Sequence, residues 1–172
     1  QQFAKMIVGA GGYPVSEADI CYFVDVDDSG PGDFFPDNYV AVCAARGITV
    51  GKTATRFDPY SSITRYQVLS MVIRAGDDLY PGRLPYPPSG WLGTWGGDPT
   101  HGANAARAEY GGLLAGLNLV ALNPYGNMTR GEVAQVLHNF LNIYGSTTTT
   151  GSTSSTTPTT AVATLSLSTS AS

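Results

Sequence analysis

The stretch "SITRYQV" (62–68) combines a helix-start signal with a cation that a helix start does not need. A second stretch, "NMTRGEV" (127–133), repeats it. In each, a threonine is followed three residues later by Gln or Glu, which is the pattern of a capping box that satisfies the first N–H groups of a helix. The residues concerned are Thr64 with Gln67 and Thr129 with Glu132. Both stretches therefore predict the start of a helix.

The arginine in each stretch is not explained by a helix start. Arg65 and Arg130 follow the capping threonines, and a cation in the first turn opposes the helix dipole by a few tenths to about 1 kcal/mol. We therefore expect a compensating partner. One candidate is structural, an ion pair of Arg65 with Asp58 or with an acid of residues 17–37. The other is an anionic ligand, held by the guanidinium group and by helix N–H groups.

The sequence also predicts a repeat, because Gln2, Gln67 and Glu132 are equally spaced along the chain. We call this constant spacing the repeat register. Apolar residues follow each of the three at the spacing of a helix with one buried face. These are Phe3, Met6, Ile7 and Ala10; Leu69, Val72 and Ile73; and Val133, Val136, Leu137, Phe140 and Leu141.

Each complete repeat is predicted to contain an earlier helix as well. These helices are expected at 38–47 and at 105–116, ended by Gly47 and Gly116. The fold class is therefore all-α, built from helix-loop-helix repeats. The loop before Arg130 is expected to be shorter than the loop before Arg65.

Composition and repeats divide the chain into five predicted segments. Residues 1–20 hold the last helix of a truncated first repeat, 21–76 a second repeat, and 77–145 a third repeat with a Pro/Gly/aromatic insertion at 76–100. Residues 146–160 contain only Ser, Thr, Gly and Pro, which predicts a disordered linker. Residues 161–172 alternate apolar and hydroxyl side chains, as in the first strand of a truncated, Ig-like β domain. We expect further domains of the same protein at both ends.

The charge and hydropathy of the chain argue against two classes of partner. Its formal net charge is −4 and only 13% of its residues are charged, which disfavours a general nucleic-acid or anionic-membrane binder. The longest apolar run, residues 110–122, is too short and too rich in glycine to cross a bilayer. We therefore predict neither a nucleic-acid partner nor a transmembrane segment.

The cysteines and histidines give no pattern of a metal site. Cys21 and Cys43 belong to no CxxC pair, and the two histidines lie far apart in the sequence. A Cys21–Cys43 disulfide stays open, as does a free, buried Cys43. The stretch "DVDDSGPGDFFP" (25–36) begins like a calcium loop but ends in proline where the bidentate glutamate belongs. We predict no metal and no cofactor.

Several short motifs resemble the S-layer homology family in their order along the chain. In the second repeat these are "FVDV" (23–26), "RGI" (46–48), "FDP" (57–59) and "ITRYQ" (63–67), and in the third "AGL" (115–117), "LNP" (122–124) and "MTRGE" (128–132). The resemblance covers residues 1–145 or so. It departs from the family pattern at Tyr66 and Gln67 and at Gly131, where the family prefers Ala-Glu and Ala.

The resemblance implies a fold and a function. Repeats of this family come in threes, form an α-helical bundle of pseudo-threefold shape, and anchor exported bacterial proteins noncovalently to secondary cell-wall polysaccharides, which are often pyruvylated. The family's motif arginine maps onto Arg65 and Arg130, and it suits the carboxylate of a pyruvyl ketal. The other candidate glycan-binding residues are Thr64, Thr129, Gln67, Glu132, Asp58, Trp91 and Trp95. The protein would then be non-catalytic and would lie outside the cell, at the cell surface or in the cell wall.

Other interpretations remain open at this point. The two tryptophans either stack on sugar rings or pin residues 76–100 to the core. The whole module is either a glycan anchor, a structural or protein–protein module without glycan binding, or an accessory part of an extracellular carbohydrate-active enzyme.

Overall fold

The structure is a computed structural model that describes residues 1–145. Within that range it has five helices and no strand: α1 (Gln2–Gly11), α2 (Asp37–Ala45), α3 (Arg65–Leu79), α4 (Gly102–Tyr110) and α5 (Arg130–Tyr144). The all-α prediction is confirmed for this part of the chain. The predicted linker (146–160) and β segment (161–172) lie outside the described residues.

The helices follow the repeat register. In this register α4 has the same start and end as α2, and α5 has the same start and end as α3. Helix α1 corresponds to residues 67–76 of α3. Helix α3 continues to Leu79, so the predicted boundary between repeats after residue 76 falls inside this helix.

The prediction of a helix at 105–116 is wrong at both ends. Helix α4 begins at Gly102, and it ends at Tyr110 because Gly112 takes the left-handed conformation, with a φ of 84°. Gly47, after α2, has a φ of 67°. The residue after each of these two glycines donates its N–H to a carbonyl oxygen five residues back, at 2.9 and 2.8 Å. Gly112 is therefore the counterpart of Gly47, and the loop before Arg130 is not shorter than its counterpart.

The Pro/Gly/aromatic segment 76–100 is the counterpart of residues 11–35 and not an insertion. In the repeat register the two segments begin at corresponding helical residues of α1 and α3 and end just before α2 and α4. Asp33 and Asp98 occupy the same position in them, and each accepts a hydrogen bond from the N–H two residues later, at 3.0 and 2.9 Å. The two segments therefore differ in composition but are equal in length.

The core is shared by all three repeats. Helices α1, α3 and α5 contact one another in all three pairs, α2 packs on α1, and α4 packs on α3. The predicted apolar stripes supply most of this core, but Met6 and Leu141 are exposed. Residues buried there from different helices include Ile7, Leu69, Val72, Ile73, Val136 and Phe140. The second helix of each repeat thus forms the centre of the molecule.

The two cysteines are free thiols, so the disulfide left open above is not formed. Cys43 is fully buried, and its Sγ lies 3.8 Å from the carbonyl oxygen of Ala4 on α1. Burial raises the pKa of the Cys43 thiol to about 12. Cys43 therefore serves as a small core residue between α1 and α2.

Candidate functional site at the two Thr-Arg turns

Both Thr-Arg turns start helices in the predicted way. Thr64 Oγ1 accepts a hydrogen bond from the Gln67 N–H at 3.3 Å, and Gln67 Oε1 accepts one from the Thr64 N–H at 3.0 Å. Thr129 and Glu132 make the same pair of bonds at 3.3 and 2.8 Å. The two capping boxes are confirmed, and these four side chains are explained by the helix starts.

The two turns belong to different repeats but lie against each other. Thr64 and Asn127 form an isolated antiparallel bridge. The N–H groups of Arg65 and Tyr66 donate to the carbonyl oxygens of Gly126 and Pro124, both at 3.1 Å. The first two N–H groups of α3 are therefore bonded to the loop of the next repeat, which leaves neither of them free for an anion.

The Arg65 side chain is enclosed and paired. The residue is only 8% exposed; its Nη2 donates to Glu132 Oε1 at 2.7 Å, and its Nη1 donates to the carbonyl oxygen of Asn123 at 2.9 Å. The structural alternative given above therefore holds for Arg65. Its acid is Glu132 of the next repeat, not Asp58 or a residue of 17–37.

The environment of Glu132 favours the ionised carboxylate. Burial works to raise its pKa, but the hydrogen bonds from Arg65 and from the Thr129 N–H outweigh burial, and the pKa is lowered overall. Glu132 thus caps α5 with one oxygen and neutralises Arg65 with the other.

Arg130, the counterpart of Arg65, is in a different situation. It is exposed in the first turn of α5, and among residues 1–145 its side chain makes neither a hydrogen bond nor an ion pair. Within the same range, the N–H groups of Arg130 and Gly131 have no acceptor. Of the two motif arginines, Arg130 is the one that can bind an added anion.

Asp58 belongs to its own loop and does not reach Arg65. It has a positive φ of 64° and accepts a hydrogen bond from Lys52 Nζ at 2.6 Å, which lowers the pKa of the Asp58 carboxyl group. The Asp25 carboxylate accepts the N–H groups of Phe57 and Asp58, at 2.8 and 2.9 Å. Asp25 therefore holds the Phe-Asp-Pro turn. This structural role is not predicted from the sequence, although Asp25 belongs to the "FVDV" motif (23–26).

The two tryptophans have different roles. Trp95 is 4% exposed; its Nε1 donates to the carbonyl oxygen of Leu119 at 3.2 Å, and its own carbonyl oxygen accepts the Tyr66 hydroxyl at 2.8 Å. It pins the loop to the core. Trp91 lies at the surface with its ring edge-on to Tyr110, at 5.4 Å between ring centroids. Only Trp91 of this pair offers a face to a sugar.

The structure contains a serine–histidine pair, a potential nucleophile beside a potential base, that the sequence does not predict. Ser70 Oγ lies 2.8 Å from His101 Nδ1, and it also accepts a hydrogen bond from Asn104 at 3.2 Å. No motif spacing marks this pair, because 31 residues separate its members. Ser70 is 2% exposed and lies under α4, so the pair joins α3 to α4 and offers no open approach to a substrate.

Two surface cavities lie away from both Thr-Arg turns. One, of about 450 Å³, is lined by residues that include Ser16, Asp19 and the ion-paired Arg46 and Asp78. The other, of about 290 Å³, is lined mainly by the acidic stretch between Glu17 and Asp37. Among residues 1–145, no group of three or more His, Cys, Asp or Glu side chains is placed to hold a metal ion.

No protein-family model matches the chain, and a search of curated proteins finds no significant match. In the described part of the chain, no helix has the length and apolar character needed to cross a membrane.

Proposed function

We propose that this chain is a non-catalytic module that anchors an exported protein to the bacterial cell wall by binding an anionic secondary cell-wall polysaccharide. The proposal rests on the motifs that resemble S-layer homology repeats and on one observation about the site. Arg130 stands in the first turn of α5, exposed and without an acidic partner in residues 1–145. A pseudo-threefold arrangement of S-layer homology repeats stays a prediction.

Arg130 has the chemistry that an acidic sugar substituent requires. A guanidinium group binds a carboxylate with two parallel hydrogen bonds, and the first N–H groups of a helix add donors of the same polarity. Exposed tyrosines in the two Pro-Tyr loops, Tyr60 and Tyr125, and the surface ring of Trp91 offer aromatic faces on which sugar rings can stack.

The proposal narrows the predicted set of glycan-binding residues. Arg65, Thr64 and Gln67 are used in the junction between the repeats, as are Thr129 and Glu132. Asp58 is held by Lys52, and Trp95 is buried. We assign Arg130 as the principal contact with the glycan. Arg65 has a structural role in the junction between the repeats.

Retention of the protein on immobilised, purified cell-wall polysaccharide tests this assignment. We expect Arg130→Gln to weaken retention about tenfold or more, because it removes a charge-assisted hydrogen-bond donor, while the melting temperature barely changes. Arg56→Gln is the matched control, since Arg56 is an exposed loop arginine of the preceding repeat. Equal retention of the two variants would disprove the Arg130 site, and failure of the unmodified chain to bind would disprove the function.

A second candidate function is a structural or protein–protein module without glycan binding. The Arg65–Glu132 ion pair favours it, because this pair shows that a motif arginine can serve only to join repeats. Under this alternative no wall polysaccharide binds the chain, and the effects of both arginines appear only in stability measurements.

A further inference from the structure

The larger of the two surface cavities, of about 450 Å³, lies where the end of α2, the end of α3 and the segment after α1 meet. Its polar lining consists of Arg46 from α2, Asp78 from α3, and Ser16 and Asp19 from the segment after α1. We call it the Arg46 cavity. Asp78 lies near the end of α3, whereas Arg65 begins this helix, about 20 Å away along the helix axis. The Arg46 cavity is therefore separate from the Thr-Arg turns, and its volume is in the range that holds a small molecule.

The corresponding place in the third repeat is closed by an apolar side chain. In the repeat register Leu84 is the counterpart of Asp19, and Gly111 is the counterpart of Arg46. Leu84 is only 1% exposed, and it packs so closely on Gly111 that a Cβ atom there would overlap Leu84 Cδ1 and Cγ. The repeat fold therefore does not require an open cavity at this position. Two charged residues of the second repeat stand where the third repeat has a leucine and a glycine.

Two further differences keep the Arg46 cavity open. In the third repeat, Arg83 Nε donates to the carbonyl oxygen of Ile143 at 2.6 Å, which ties the segment after α3 to the end of α5. The counterpart of Arg83 is Ala18, which has no side-chain donor. At the rim, Ala45 at the end of α2 stands in the position of Tyr110. Small side chains thus leave room where the third repeat has large ones.

The lining of the Arg46 cavity has one carboxylate without a cationic partner. Arg46 Nη1 lies 3.2 Å from Asp78 Oδ2, and the guanidinium group lies over the Tyr13 ring at 4.9 Å from its centroid. Asp19 Oδ2 accepts the N–H and the hydroxyl of Ser16 at 2.7 and 3.0 Å. Among residues 1–145 no cation is paired with Asp19. Two carboxylates and one guanidinium group give the lining a net charge of −1.

This lining fits a ligand that carries both an ammonium group and hydroxyl groups. The carboxylate of Asp19 favours a cation, and the Arg46–Asp78 pair, with side chains 44% and 27% exposed, offers donors and acceptors to hydroxyl groups. Pro14 and Val42 add apolar surface for the C–H groups of a ring. We infer that the Arg46 cavity binds an amino sugar whose free, protonated amino group contacts Asp19.

The other classes of ligand fit this cavity less well. An anion is opposed by the net charge of the lining and by the acidic residues of the adjacent cavity, between Glu17 and Asp37. A lysine side chain supplies the ammonium group but no hydroxyl groups for the Arg46–Asp78 pair. An N-acetylated sugar supplies the hydroxyl groups but leaves Asp19 without a counter-ion. The amino sugar is the class that satisfies both parts of the lining.

Titration of the ¹⁵N-labelled full-length chain with a glucosamine trimer, followed by NMR, tests the inference. We use a pH of about 6, at which sugar amines are protonated. We expect the amide signals of Ser16 and Arg46 to shift. The triacetylated trimer, which has the same rings without the charge, should bind about tenfold or more weakly.

Three variants locate the binding. Asp19→Asn removes the charge but keeps an oxygen that accepts the Ser16 N–H, and it should weaken trimer binding about tenfold or more. Asp28→Asn is the matched control, because it removes the same charge from the same acidic stretch while Asp28 lines the other cavity. Ala45→Tyr introduces the side chain of its third-repeat counterpart at the rim, and it should abolish binding without a change of charge. Circular dichroism checks that the variants remain folded.

Four results would overturn the inference. The first is that the glucosamine trimer does not bind, and the second is that the two trimers bind equally. The third is an equal loss in the Asp19 and Asp28 variants, which would mean general attraction to the acidic stretch. The fourth is that trilysine binds as tightly as the trimer and depends equally on Asp19, which would make a basic side chain the occupant. Arg130→Gln should bind the trimer like the unmodified chain, whatever the outcome of polysaccharide retention, because the inference does not rest on the Arg130 site.

Discussion

At the scale of single residues, Glu132 joins two requirements that the sequence presents separately. As a helix cap it needs only a side-chain oxygen, and Gln67 does the same work in the preceding repeat. As the partner of Arg65 it needs a negative charge, because the ion pair is largely buried. The Arg65 side chain is 10% exposed and the Glu132 side chain 12%. A glutamine at position 132 therefore separates capping from charge.

We predict that Glu132→Gln lowers the free energy of unfolding by about 1–3 kcal/mol at pH 7, because it keeps the cap and leaves a buried cation without its counter-ion. The pKa of Glu132 is lowered from 4.5 in the folded chain. Its ionic contribution to stability is therefore complete above pH 4.5 and is lost as the pH falls through the lower, folded value. Denaturant unfolding at neutral, mildly acidic and strongly acidic pH should show the difference between the two proteins shrinking below pH 4.5.

Gln67→Glu is the control for this prediction. It is the reverse substitution, from glutamine to glutamate, at an exposed helix cap to which no arginine is bonded. We expect it to change stability by less than about 0.5 kcal/mol. A difference between the unmodified chain and Glu132→Gln that stays constant or grows toward low pH would contradict the assigned role of the ion pair.

The sequence identifies Arg65 as a residue that the helix start does not explain, but it does not identify Glu132 as its partner. The helix dipole distinguishes Arg65 from the capping residues, because caps and dipoles depend on neighbours within one turn. Glu132 lies 67 residues away, and this contact exists only because two turns meet across the junction of two repeats. The same limit explains why Arg65 and Arg130, identical by motif, have different environments.

At the scale of elements, local signals predicted helix starts well and one helix end badly. The capping boxes fix the starts of α3 and α5 through bonds within three residues of each threonine. The end of α4 was misplaced because Leu113 and Leu114 continue the apolar pattern beyond the helix. Both leucines are buried, but they lie in turns after Gly112, so burial there does not report helical periodicity.

Gly76 marks the close approach of α3 to α5, and we predict that it cannot become alanine without cost. A Cβ atom at this position would overlap the ring carbon Cζ and the hydroxyl oxygen of Tyr144. Tyr144 is itself buried and has little room to move. We expect Gly76→Ala to destabilise the chain by about 1–3 kcal/mol, measured by thermal or urea unfolding.

Gly9→Ala provides the comparison, because it makes the same change inside a helix where the added methyl group meets nothing within 4 Å. Alanine has the higher helix propensity, so we expect this variant to be more stable by about 0.5–1 kcal/mol. Changes of the same sign in the two variants would show that helix propensity, and not packing against Tyr144, decides the effect at Gly76.

At the scale of the whole molecule, repeats that are separate in sequence share one core. Because α1, α3 and α5 contact one another in all three pairs, each repeat buries its second helix against the other two. A chain of independent repeats would instead bury each helix mainly within its own unit. Residues 1–145 should therefore unfold as one cooperative unit.

Ile7→Val tests this cooperativity. Ile7 is fully buried on α1, whereas both tryptophans, Trp91 and Trp95, belong to the third repeat. Loss of one methylene group from the core should cost about 0.5–1.5 kcal/mol, which corresponds to a fall in melting temperature of roughly 2–6 °C at this size.

If the repeats share one core, tryptophan fluorescence and far-UV circular dichroism must shift together, although the substitution lies in another repeat. Ile20→Val, at a position that is 84% exposed, should shift neither signal. A shift in circular dichroism with unchanged tryptophan fluorescence would mean that the third repeat unfolds on its own, and the contacts between inner helices would then contribute little to stability.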